Sequence, residues 1–121
     1  MKLLPETRGA VRVARGQEAQ QAAIDAWLRQ RSPFTGTAGC AVLAQGAFFE
    51  LAVPAQVVLE RLAPGCVCCV GLLPLQVTLT RLLRTRRPGA VLLLIDDESH
   101  LKRVRNLVAS GKLGVSLEQE P

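Results

Sequence analysis

Three cysteines, Cys66, Cys68 and Cys69, stand within four positions of the stretch "APGCVCCVGLLPLQVTLTRLLR", residues 63 to 84. Thiolates are soft ligands suited to zinc or copper(I), and in an extended segment a C-x-C step brings two sulfurs to one side of the backbone. Cys66 and Cys68 are the natural pair. Cys69 points away in an ideal strand and joins the same ion only where the chain bends, which the flanking Gly65 and Gly71 permit. Three thiolates leave a tetrahedral zinc one ligand short, to be completed by water, by Cys40 or His100, or by a group from a partner. A structural zinc site usually draws on separated ligand pairs. A single cluster suits an exchangeable or transfer-type ion instead.

The same residues admit other chemistry. Cys66 and Cys69 form a C-x-x-C step just upstream of a helical stretch, the setting in which a helix dipole lowers a thiol pKa for dithiol redox work. Ordinary core packing of thiols is the third reading, and it suits Cys40, which begins an apolar strand, better than it suits the triplet. His100, the single histidine, stands among helix-start signals, and no Ser or Cys neighbour in sequence makes a convincing nucleophile pair with it. No residue implies a chemical reaction.

The elements that must position these residues are bounded first by composition. A chain of 121 residues fits one domain, buries about two-thirds of its unfolded surface and needs no disulfide scaffold. Aromatic residues are 3% with no Tyr, which argues against a stacking platform for single-stranded nucleic acid. The longest uninterrupted apolar run, "AVLLLI" at residues 90 to 95, is far short of the roughly 18 to 20 residues of a membrane helix, so no membrane association is expected. The opening "MKLLPETRGA" has no apolar signal region, so the expected compartment is the cytoplasm, where thiols stay reduced. Of the arginines behind the net charge of +5, Arg81, Arg84, Arg86 and Arg87 crowd together. They read either as a solvated helix end opposing the dipole or as a patch for phosphates or acidic partners, which a steep salt dependence would reveal.

"GAVRVARG", residues 9 to 16, reads as a strand. "QEAQQAAIDAWLRQR" reads as a helix with Ala19, Ala22, Ala23, Ala26 and Trp27 on its inner arc, broadened by Ile24 and Leu28. After the loop "SPFTGTAG", the stretch "CAVLAQGAFFELAV" divides at Gln45 and Gly46 into two short strands. "PAQVVLERLAPG" reads as a short helix opened by Pro54 and stopped by Pro64 and Gly65. Past the cysteines, Pro74 starts a helix with Leu75, Leu79, Leu82 and Leu83 on one face and Arg81 and Arg84 turned away. "AVLLLI" is a strand buried on both faces, Leu101, Val104 and Val108 mark a helix that Gly111 stops, and "LGVSLEQ" is a last strand. The alternation predicts an α/β fold, a small three-layer arrangement on a mainly parallel sheet, formed by residues 1–121 as one domain.

The stretch "LAPGCVCCVGLLPLQVTLTRLLRTRRPGAVLLLI" resembles the signature region of the CobW-like P-loop GTPases, a metal-handling family with a G-C-x-C-C loop, a leucine-rich helix and a buried strand. The likeness is strong over residues 62 to 95 and extends with gaps from Ala10. It implies a P-loop-NTPase-like but truncated fold and zinc or a similar metal on Cys66, Cys68 and Cys69. The departures fall on nucleotide handling. Where the family carries G-x-x-x-x-G-K-[ST], this chain reads "VARGQEAQQA", with Gly16 but no Lys and no hydroxyl. Asp96 to Ser99 stand where the family has an acidic residue and a "TTG" turn, and no guanine-reading motif follows.

The reading that results is a degenerate CobW-like domain, a metal-binding protein of zinc type that holds no nucleotide. The resemblance implies a metal-receiving protein or a full-length CobW-like GTPase as partner. Residual GTP hydrolysis and thiol redox chemistry on "CVCC" are the alternatives.

Overall fold

The computed structural model describes residues 7–30, 39–45, 50–62, 73–110 and 115–117. Among them five strands form one sheet: β1 (Thr7–Val13), β2 (Cys40–Gln45), β3 (Val58–Leu62), β4 (Ala90–Ile95) and β5 (Val115–Leu117). Their order is β3-β2-β4-β1-β5, and every neighbouring pair is parallel. Three helices cover it: α1 (Gln17–Arg29), α2 (Leu73–Arg86) and α3 (Leu101–Ala109), the last preceded by a 3-10 turn at Glu98–His100.

Successive strand residues point to opposite faces, so the two sides of β4 feed separate cores. Ala90, Leu92 and Leu94 pack with Ile24 and Trp27 of α1. Val91, Leu93 and Ile95 pack with Leu75, Leu79 and Leu82 of α2 and with Val104 and Val108 of α3. The fold is therefore a three-layer α/β sandwich on a parallel sheet, as the alternating pattern predicts. All six residues of β4 are buried, which is why that stretch carries no polar alternation. No helix among the described residues is long and apolar enough to cross a membrane.

Three assignments differ from the sequence reading. Val58–Leu62 is an edge strand, not part of a helix; Ala41 to Gln45 pair with it residue by residue, and Pro54 initiates only a turn that Val57 N–H closes on the Pro54 carbonyl at 3.0 Å. A run this short satisfies either period, and pairing with β2 decides it. Residues 50–53 form no strand. Side chains of α1 hold that segment instead: Gln21 accepts from Ala52 N–H at 2.7 Å and donates to its carbonyl at 2.9 Å, and Gln17 donates to the Glu50 carbonyl at 2.9 Å. In α1 itself Ala19 and Ala22 are exposed, and the inward stripe is Gln20, Ile24 and Trp27. The two large side chains set the phase of the helix, and the alanines follow. The loop predicted at residues 32–39 falls almost wholly outside the described residues, as does Gly111.

Candidate functional site at the carboxyl end of the sheet

The connections of β1 and β4 leave these adjacent strands toward opposite faces, one into α1 and the other into α3. In open parallel sheets such a reversal opens a crevice beyond the carboxyl ends, the usual place for a ligand. At this position stand Ala14 to Gln17, which follow β1, and Asp96 to His100, which follow β4. The backbone ties them together, since Ala14 N–H donates to the Ile95 carbonyl at 2.9 Å.

Helix α1 begins at Gly16, whose φ of 88° is in the region that side chains rarely adopt, and no side chain caps it. One turn in, Gln20 is 1% exposed and its Nε2 donates to the carbonyls of Ala14 and Gln45, each at 3.1 Å. The amide thus clips the ends of β1 and β2 across the intervening β4. Its Oε1 is buried and receives no hydrogen bond. Gln45, the last residue of β2, repeats the situation: it is 4% exposed, its Oε1 has no donor, and it lines a small apolar cavity with Leu43, Leu62, Leu75, Leu93, Ile95 and Val104.

Asp97 caps the 3-10 turn by accepting from the Ser99 amide at 3.0 Å and from its hydroxyl at 2.9 Å. Those two bonds, aided by the neighbouring His100 and Arg15, hold its carboxyl below the ordinary carboxylate range. His100 is half-buried, and its Nδ1 is buried without a hydrogen-bond partner. A buried polar atom left without a partner carries a desolvation cost of about 1–3 kcal/mol unless something completes it. All three such side-chain atoms among the described residues, on Gln20, Gln45 and His100, belong to elements at this end.

Cys66, Cys68 and Cys69, the metal ligands expected from the sequence, lie outside the described residues, as do Gly65 and Gly71. The described chain reaches them from Leu62, which pairs with Gln45 at the carboxyl end of β3, and resumes at Leu73 in α2. Among the described residues no group of three or more His, Cys, Asp or Glu side chains is disposed to hold a metal. Of the fourth ligands considered, Cys40 opens β2 opposite Ala90, at the far end of the sheet, and is 4% exposed within the core against α1. Five residue steps, about 16 Å, separate its level from that of Gln45. His100 stands at the carboxyl end.

Sequence reasoning did not single out Gln20 or Gln45. The signal for Gln20 was its spacing from Ile24 and Trp27, which places it in the buried stripe of the helix. Gln45 was read, with Gly46, as the turn dividing two short strands, with nothing to mark its burial; it is the last residue of β2. Comparison of the chain with family models, with curated proteins and with solved structures finds no match.

Proposed function

We propose that the protein is a metal-binding domain of CobW-like type that holds one zinc or similar soft ion through Cys66, Cys68 and Cys69, with His100 as the fourth donor, and passes the ion to a metal-receiving protein or a full-length CobW-like GTPase. The observation that supports this reading is the meeting at one end of the sheet of the strand end that leads into residues 63–72 and a histidine with a buried, unpartnered ring nitrogen. An unpartnered imidazole nitrogen is the kind of donor a thiolate-bound zinc lacking one ligand would recruit. The bound ion would draw protons from the thiols. The chain's own part is to supply the donors from a domain whose core does not depend on the metal.

The test is metal analysis of reduced protein purified without a metal-affinity tag. About one zinc per chain is expected, and the Cys66→Ser, Cys68→Ser double variant should retain none. Cys69→Ser should weaken binding, His100→Ala should weaken it by about tenfold or more, and Cys40→Ser should leave it unchanged. Equal zinc in the wild type and the double variant would overturn the reading and leave dithiol redox or core packing to explain "CVCC".

A second reading, a residual nucleotide site, is favoured by the uncapped start of α1 in the crevice. Against it stand the absence of a Lys or hydroxyl in "ARGQEAQQ" and the acidic residues Asp96, Asp97 and Glu98 across the gap. GTP with magnesium should therefore bind no tighter than about millimolar. Micromolar affinity in a fluorescent-nucleotide titration would restore the GTPase reading.

A further inference from the structure

Helix α2 turns Leu75, Leu79 and Leu82 into the core and leaves an outer face on which Gln76, Val77, Thr80, Arg81, Arg84 and Thr85 line a shallow depression of about 440 Å³. Two features of this face are unusual. Val77, at 58% exposure, is the single exposed large hydrophobic side chain among the described residues. Four exposed arginines lie along the last turns and just past the helix end, of which only Arg81 meets an acid, Glu60, at 3.4 Å; Arg81 and Arg84 share the face of Val77, while Arg86, nine residues on, lies on the other side of the helix. Arg84, Arg86 and Arg87 have no acidic partner among the described residues.

Opposing the helix dipole accounts for one or two cations in the last turn but not for Val77 or for the backbone at Arg87. That residue follows the helix with φ 48°, the left-handed conformation in which glycine is the strain-free choice. Here the chain accepts strain of about 1 kcal/mol and keeps a guanidinium. The Thr85 hydroxyl is bonded to the Arg81 carbonyl at 2.8 Å, so the floor of the depression is not seeking polar partners. An apolar spot flanked on one side by unpaired guanidiniums is complementary to an amphipathic helix with acidic residues beside its apolar stripe. Nucleic acid fits less well, because the face offers no aromatic ring on which a base could stack.

We propose that the outer face of α2, from Gln76 to Thr85 and continued by Arg87 past the helix end, is a docking surface for an acidic amphipathic helix of a partner protein, which sets an apolar side chain on Val77 and carboxylates on Arg81, Arg84 and Arg87. The surface does not depend on the metal reading, since none of its residues is among the donors named for the ion.

The experiment uses the whole chain and a synthetic peptide of about 18 residues with Leu at helical spacing and Glu beside it, followed by amide chemical shifts and fluorescence anisotropy. Shift changes should cluster on residues 76–87, and affinity should fall as salt rises. The Arg81→Ala, Arg84→Ala double variant should weaken binding by about tenfold and Val77→Ser by about threefold, whereas Arg86→Ala, on the other side of the helix, should change it little. Arg87→Gly should weaken binding while raising the urea midpoint, a split that a merely structural arginine would not give. Three results would overturn the proposal: no binding at about 1 mM peptide, affinity indifferent to Val77→Ser, or tighter binding of an oligouridylate of matched length.

Discussion

The two ends of the sheet are built to different standards. At the amino end the polar groups close on one another: the Gly39 carbonyl accepts from Gly89 and Ala90 N–H at 2.7 and 3.2 Å, Arg8 N–H donates to the Gly89 carbonyl at 3.0 Å, and the Thr7 hydroxyl donates to the Pro88 carbonyl at 2.8 Å. At the carboxyl end Gln20, Gln45 and His100 each keep a buried polar atom without a partner. Both ends belong to the same strands and share the same core, so the difference is not one of packing class. A fold selected for stability alone would complete these atoms or replace them with apolar groups. The amino end acts as the scaffold, and the buried polar atoms without partners among the described residues lie at the other end, Gln20 on the α1 side of the sheet and Gln45 on the α2 side.

That contrast can be broken by substitution, read as the shift in urea midpoint. The largest effect is expected in the scaffold at Gly9, where an added Cβ would come 2.5 Å from the Val115 Cγ1 and 3.6 Å from the Val91 Cγ1. Val115 is buried and stiff at its branched carbon, so Gly9→Val should cost about 3 kcal/mol, and a neutral result would mean that β5 yields freely. Next comes Gln20→Met, which keeps the volume but leaves the Ala14 and Gln45 carbonyls without their donor; a loss of about 2 kcal/mol is expected. The smallest change has the opposite sign. Gln45→Met removes an amide oxygen that lacks a donor in an apolar cavity and should stabilise by about 1 kcal/mol. If Gln45→Met destabilises instead, the amide has a structural partner and the contrast between the ends is weaker than argued. The contrast would be sharpened if zinc raised the midpoint of the wild type and did not raise that of His100→Ala.

Much of the scaffold was legible in the sequence. The unbroken apolar run at residues 90–95 has no polar face, which leaves the interior of a sheet as its natural place, and β4 is flanked by β2 and β1. The leucines of α2 and the valines of α3 recur at helical spacing strong enough to fix both which face turns inward and which arginines turn out. Less of the site was legible. The cysteine triplet is a statement about residue types and spacing, and it lies outside the described residues. The unpartnered atoms of Gln20 and Gln45 depend on what surrounds them in space, and neither residue type announces burial.

The sequence by itself determined the alternation of strands and helices, the parallel sheet that alternation demands, the basic outer face of α2 and the thiols available for metal. These follow from period and composition, which act locally along the chain. Only the tertiary structure decided that Val58–Leu62 is a strand, that residues 50–53 are held by glutamine side chains of α1, and that Cys40 and His100 stand at opposite ends of the sheet. The reason is that a five-residue run fits both periods until a neighbouring strand offers its unpaired N–H and C=O groups. Which end of a parallel sheet a residue occupies is set by where its strand enters the order, a relation between segments tens of residues apart that no local pattern records.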